Sequence, residues 1–427
     1  MCKVCKQWRE IMKVNVKRIH SRLEEIYQCG RKEDGTFTRM AYSPEDVKGR
    51  ETFMNYFRQL GIEPRVDEAG NIHARLEGED PALPAILTGS HLDTVPDGGK
   101  YDGVVGCVSG LEVVETLVEN GRKLKHPLEV IVFTDEEGFR FGSGLLGSSA
   151  ICGQELDIKE SDMDLYGNKR ADVIKSYGII VADAPKAKME PKDVHCFMEL
   201  HVEQGASLYK SHTPIGIVSS IAGVSRYEIV ITGEANHAGS TVMTDRKDAL
   251  VAASKFIAQV PEIVKANGNE YTVATVGTIK VQPNSVNVVP GSCTFNLEIR
   301  DQHAEVITEI EKRAKEYLEQ VCKEMGEEYS FTQISYHEPA PMSEWVKAAI
   351  ETAVKKMGVE YKVVPSGAFH DSLIMTSVFP TGMIFVPSVD GISHSRYEFT
   401  EDADIEQGAQ LLLETILEAD NMDSHVK

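Results

Sequence analysis

The chain has 427 residues, 42% of them apolar and 26% charged, which at about 150 residues per domain suits two or three domains with substantial cores. Acidic residues outnumber basic ones by 66 to 45, a net charge of −21 that no Lys/Arg run interrupts, so nucleic acid is disfavoured as a partner. A mean hydropathy of −0.23, with no apolar stretch near the ~18 residues a bilayer span needs, argues against a membrane protein.

The opening residues, MCKVCKQWREIMKVNVKRIH, lack an apolar signal core, so export is disfavoured and a cytoplasmic protein is expected. Cys2 and Cys5 form a lone CxxC, read as an incidental reduced pair rather than a zinc ribbon, and most other cysteines read as buried thiols. Ser43-Pro44-Glu45-Asp46 predicts a helix start: a capping hydroxyl, proline in the first turn, and acids on the positive end of the dipole. Phe53, Phe57 and Leu60 then repeat at helical spacing until Gly61. Strands are expected at 72–76, 85–88 and 128–133, the last two nearly all apolar, as in a parallel-rich sheet covered on both faces. A helix is expected at 104–118 and another core strand at 196–201.

From about residue 216 the pattern changes to strand 227–232, helix 245–264, strands 272–281 and 293–299, helix 303–325 and strand 329–336. That β-α-β-β-α-β order is a ferredoxin-like unit, with Ile307, Ile310, Ala314, Leu318 and Val321 on one helical face. Beyond Pro339 come helix 342–357, strand 381–386 and helix 405–419. The expected fold is therefore α/β: a helix-covered central sheet built from 1–215 and 339–427, interrupted by an inserted domain at 216–338.

Four short segments place metal-binding side chains at predicted strand ends, where ligands gather in α/β sheets. In Gly89-Ser90-His91-Leu92-Asp93, His91 would bind a metal by one nitrogen while Asp93 accepts from the other. Tyr101-Asp102-Gly103 precedes an apolar helix, Asp135-Glu136-Glu137 follows strand 128–133, and Glu199-Leu200-His201-Val202-Glu203-Gln204-Gly205 runs into a glycine turn. Each admits an ordinary reading alone: a satisfied histidine, an N-cap aspartate, a loop of solvated acids. Together they supply hard carboxylates and neutral imidazoles, the ligand set of Zn²⁺ or Mn²⁺, with Co²⁺ and Ni²⁺ as further candidates. A bridging aspartate would set two such ions about 3.5–4 Å apart around one activated water.

The ordered segments GSHLDTVPDGGKYDG, FTDEEGFRFGSGLLGS, MELHVEQG, ANHAGSTVMTDRKDAL, NSVNVVPG with EIRD, and GISHS resemble the amidase/hydantoinase–carbamoylase branch of the M20 metallopeptidase-like hydrolases. That branch includes N-carbamoyl-L-amino acid hydrolases, β-ureidopropionase-like enzymes and allantoate amidohydrolases, and the match runs from about residue 35 to 420. The resemblance implies a catalytic α/β domain interrupted by a lid and dimerisation domain, hence a homodimer. It implies that His91 and His201 are terminal ligands of different ions bridged by Asp102, with Glu137 and His394 completing the set and Glu136 the general base. His370 and Asp93 would support the ligands, and Gln204 would orient substrate.

In the inserted domain, the resemblance makes His237 an oxyanion donor reaching the neighbouring subunit's site. Asn287 would donate to substrate oxygens, and Arg300 would grip a substrate carboxylate with its planar fork. The alternatives for these three are a histidine bonded to local backbone, turn chemistry and a surface Arg–Asp pair. One departure stands out: in Ser366-Gly367-Ala368-Phe369-His370-Asp371-Ser372, Phe369 replaces a common glycine and Ser372 a common alanine, which reshapes expectations of the pocket. The implied activity is metal-assisted hydrolysis of the ureido C–N bond of a small anionic N-carbamoyl-L-amino acid. Allantoate or 3-ureidopropionate hydrolysis is the runner-up, then a dipeptidase, an aminoacylase or a non-catalytic dimeric scaffold.

Overall fold

A computed structural model of the chain describes residues 12–156, 158–159 and 161–422; the Cys2–Cys5 pair lies outside the described residues. Two compact units divide the chain: one of Met1–Ser219, Met342–Val364 and Phe369–Lys427, the other of Ser220–Pro341 and Pro365–Ala368.

The first unit is built on a mixed sheet whose order runs Arg65–Val66, Ile72–Leu76, Leu128–Phe133, Ala85–His91, Val194–Val202, Thr381–Val386, Ile215–Ile221. Leu128–Phe133, Ala85–His91, Val194–Val202 and Thr381–Val386 are mutually parallel neighbours, and the flanking pairs are antiparallel. These four strands are buried at every position. Alternation explains why: Ile86, Val130 and Met198 pack toward the helices Val16–Tyr27, Val104–Glu119, Glu344–Met357 and Asp402–Ala419. Leu87, Ile131 and Phe197 pack on the opposite face with Ile151, Met375 and Phe379. The fold is thus α/β with a helix-covered sheet, as expected. The Ser43 hydroxyl accepts from the Asp46 N–H at 3.2 Å and caps Pro44–Gln59, and the six described cysteines are all buried. Among the described residues, no helix is long and apolar enough to cross a membrane.

The second unit is an antiparallel sheet in which Ser292–Asp301 and Gly223–Thr232 are central, flanked by Ile279–Gln282 and by Glu328–His337. Ile229, Ile231, Phe295 and Leu297 form a separate core with Phe256 of Ala249–Asn267 and Ile307, Ile310, Ala314 and Leu318 of Ala304–Met325. Two expectations need correction. The run 272–281 is not one strand: it breaks into Val273–Thr275 and Ile279–Gln282, because the Gly277 and Thr278 N–H groups both turn to donate to Asn296 Oδ1. The helix expected from 245 starts at Ala249, where Asp248 accepts from the Leu250 and Val251 N–H groups and caps it.

Candidate metal centre

Parallel strands deliver their carboxyl ends to one edge. Ala85–His91 lies between Leu128–Phe133 and Val194–Val202, so His91, the Asp135–Glu137 segment and His201 emerge side by side. The His91 and His201 rings are 5.9 Å apart, centroid to centroid, and both are buried. Asp102 arrives from the turn before Val104–Glu119. It does not cap that helix: Gly103 occupies the cap position, and a side chain there would put its Cβ 2.4 Å from His91 Nε2. The glycine lets the turn close over the histidine and directs the Asp102 carboxylate inward.

There Asp102 Oδ1 is 3.2 Å from His201 Nε2 and Oδ2 is 3.2 Å from His394 Nε2. Glu137 Oε2 lies 3.8 Å from His394 Nε2, and Glu136 Oε2 lies 3.6 Å from His91 Nε2. Donor atoms of His91, Asp102 and His201 fall within 4.8 Å of one another, and so do those of Asp102, Glu137 and His394; either trio is capable of holding a cation. The two trios share Asp102. The first trio groups His91 with His201, which emerge from adjacent parallel strands, whereas the sequence expectation assigned them to different ions. Glu136 and Glu137 form a further cluster with His91, and Glu199 with His201 and His370.

Asp93 also acts differently from expectation. The His91 Nδ1 partner is the Asp93 main-chain carbonyl at 2.9 Å, while the nearer carboxylate oxygen is 3.9 Å away. That carboxylate instead accepts from the Glu136 and Glu137 N–H groups at 3.3 and 3.2 Å, which fixes the acidic loop. His370 packs its ring edge-on against His201, 4.3 Å between centroids. Gln204 donates from Nε2 to both Asp102 oxygens at 3.1 and 3.2 Å and lies 3.2 Å from His394 Nε2. Its Oε1 is buried without a hydrogen-bond partner. Asp135, Gln204 and His394 all adopt left-handed backbone, with φ of 55°, 56° and 50°, a concentration of strain typical of functional sites.

Electrostatically the centre is crowded with negative charge. Burial first, then the carboxylates of Glu137, Asp371, Asp93 and Asp102, push the Glu136 pKa well above the usual range, and burial with Asp102 and Asp93 does the same to Glu137. Asp102 goes the other way: burial raises it, but hydrogen bonds from His201 and His394 outweigh that and hold it well below. The same pairing overcomes burial at His201, raised to about 9.

Two acids beside the candidate site were given no role in the sequence reading. Glu199 is buried in a strand and accepts from Ser90 Oγ at 2.7 Å and Ser372 Oγ at 2.6 Å, which gives the departing Ser372 a partner. A lone acid inside the apolar run Cys196–His201 was its only signal. Glu398 is the other, and nothing in its flanking sequence distinguishes it.

In the second unit, His237 and Asn287 sit on exposed neighbouring segments, with His237 opposite Val288 and the Ala238 N–H donating to the Asn287 carbonyl at 2.9 Å. His237 Nδ1 accepts from the Gly239 and Ser240 N–H groups at 3.0 and 3.2 Å, so the ring proton is on Nε2. The Ser285 hydroxyl donates to Asn287 Oδ1 at 2.7 Å, which leaves the amide nitrogen to donate elsewhere. Arg300 lines a cavity of about 300 Å³ together with Glu298, Tyr271, Thr275 and Gln302. Its partners include Glu298 Oε1 at 2.7 Å and the Gly367 carbonyl at 2.8 Å. Asp301 turns instead to Asn269 and Thr272, so the Arg–Asp surface pair is not formed.

Residues 87–418 match peptidase family M20/M25/M40. An N-carbamoyl-L-amino acid amidohydrolase of Geobacillus stearothermophilus is 37% identical over 399 residues, 93% of this chain and 97% of that protein. An allantoate amidohydrolase of Escherichia coli is 35% identical over 380 residues, 88% of this chain and 92% of that protein. Among solved structures, a hydantoinase/carbamoylase family amidase from Burkholderia multivorans is similar with a TM-score of 0.88 at 33% identity, covering 96% of this chain and 98% of that one.

Proposed function

This chain belongs to peptidase family M20/M25/M40, and from that premise we propose that it is a metal-dependent amidohydrolase cleaving the ureido C–N bond of N-carbamoyl-L-amino acids to the amino acid, ammonia and carbon dioxide. The observation that carries this reading is the pair of donor trios sharing Asp102. His91, Asp102 and His201 would hold one ion, and Asp102, Glu137 and His394 the other. The site fits cations on its own terms: nitrogen and carboxylate donors suit Zn²⁺ or Mn²⁺, and positive charge would relieve the repulsion that raises Glu136 and Glu137. Bound ions supply Lewis acidity, lowering the pKa of water and polarising the scissile carbonyl.

The chain's own residues then divide the work. Glu136, fixed by its N–H bond to Asp93, takes the proton from the attacking water and hands it to the leaving nitrogen. His237, protonated at Nε2, donates to the oxygen that becomes negative, in the site of a second copy of the chain. Arg300, oriented by Glu298, anchors the substrate carboxylate, with the Asn287 amide as a further donor. Gln204 Nε2 now donates to the Asp102 oxygens that a cation would take, so ion binding would release this amide toward substrate. The enzyme would act in the cytoplasm as a homodimer through the second unit.

The 35% identity to an allantoate amidohydrolase supports allantoate as the second reading. Ammonia release from a panel of N-carbamoyl-L-amino acids, 3-ureidopropionate and allantoate distinguishes them. We expect the highest kcat/KM on a carbamoyl amino acid; preference for allantoate would move the assignment, and no turnover by fully loaded enzyme on any of them would overturn it.

A further inference from the structure

We propose that Glu398 is a positioning residue that sets the second cation site by tying its two ligand loops together, an inference that rests on the paired-cation reading above. Asp102 and His394 are 292 residues apart in the chain, and neither loop belongs to a helix or strand. Glu398 is 5% exposed. Its Oε1 accepts from the Tyr101 N–H at 2.9 Å and from the Asp102 N–H at 3.0 Å. Its Oε2 accepts from the hydroxyl of Ser393, the residue before His394, at 2.6 Å. One carboxylate thus spans the backbone of one ligand and the immediate neighbour of the other.

The surroundings are shaped for it. A Cβ on Gly99 would lie 2.0 Å from Glu398 Oε1, so the second glycine of Gly98-Gly99 makes room for this side chain. A second tie joins the same two loops: Arg396 Nε and Nη2 meet Asp97 Oδ2 at 2.6 and 2.5 Å. That pair is partly exposed and weaker, whereas Glu398 is buried and bonded to charge-assisting donors on both sides. Asp102 belongs to both trios, so both feel this link, but the second has both Asp102 and His394 on the tied loops while the first has only Asp102. His91 and His201 are fixed by adjacent strands, so loosening the loops spreads Asp102 from His394 more than it parts His91 from His201.

The test uses the full chain stripped of metal and titrated with Mn²⁺, followed by calorimetry and electron paramagnetic resonance. Wild type is expected to bind two ions and give a spin-coupled spectrum. Glu398→Ala, and separately Gly99→Ala, which displaces the carboxylate from the other side, are expected to weaken the first ion by a clearly smaller factor than the second. Their second ion should bind roughly tenfold or more weakly, the scale for lost supporting contacts around ligands, leaving a mononuclear spectrum. Should Glu398→Ala fail to fold, Gly99→Ala decides. Wild-type affinity for the second ion in the variants, or equal weakening of both ions with a lowered melting temperature, would overturn the positioning role. A wild-type chain that takes up fewer than two ions would instead overturn the paired-cation reading.

Discussion

Glu136 and Glu137 are adjacent in sequence yet face different partners. Glu137 points toward His394, with its Oε1 3.3 Å from the Val95 N–H, while Glu136 is directed toward His91 and accepts no hydrogen bond from the cluster. Both owe their direction to Asp93, whose two oxygens take their backbone N–H groups. That division predicts a clean separation in Glu136→Gln: turnover should fall by roughly 10²–10⁴-fold, the usual worth of a general base, while ion content stays at the wild-type level. Undiminished activity in the loaded variant would remove Glu136 from the chemistry. At this scale the sequence was partly legible. His91, Asp102, Glu137, His201 and His394 could be singled out by residue type and position, but which histidines share a donor cluster depends on strand adjacency, which no local motif encodes. Glu398 was invisible for a related reason: two of its three partners are backbone N–H groups and the third is the ordinary hydroxyl of Ser393, so no complementary charge marks it.

Among elements, the strands of the sheet were the most legible: the structure retains Ile72–Leu76, Leu128–Phe133 and Thr381–Val386 as read, the last two nearly all apolar because they are buried at every position. Val16–Tyr27 was missed. Its buried face includes Arg22, which bonds Glu115 at 2.5 Å and covers the Tyr56 ring at 4.9 Å, so a charged residue interrupts the apolar stripe. A buried charge also links the strands Ile72–Leu76 and Leu128–Phe133. His73 places Nδ1 2.7 Å from Glu129 and Nε2 3.0 Å from Asp67, so both nitrogens donate. Burial opposes charging His73, but the two carboxylates outweigh it and raise its pKa; Glu129, raised by burial, is lowered further by His73, Arg65 and Arg75 to about 2. Stability from Glu129 is present above about 4.5 and lost as pH falls toward 2, and that from His73 is present below about 6.5 and lost as pH rises through its raised value. Denaturant unfolding should therefore find Glu129→Gln less stable by about 3 kcal/mol near pH 5.5, with the gap shrinking at both pH extremes. A gap that does not vary with pH would refute the pairing.

For the whole molecule, alternation of helix and strand followed by the βαββαβ order was sufficient to expect an α/β sheet and a ferredoxin-like insertion, and each unit has its own core. Composition said less: a charge of −21 disfavoured nucleic acid without pointing to a substrate. The site emerges only at this scale, since its donors span residues 91 to 394 and come together through sheet topology and the turn at Gly103. The most direct test is anomalous diffraction at the metal edge from crystals of the full chain grown with Mn²⁺ or Zn²⁺. Two peaks about 3.5–4 Å apart, on either side of the Asp102 carboxylate, are predicted. A single peak, or peaks remote from Asp102, would contradict the account.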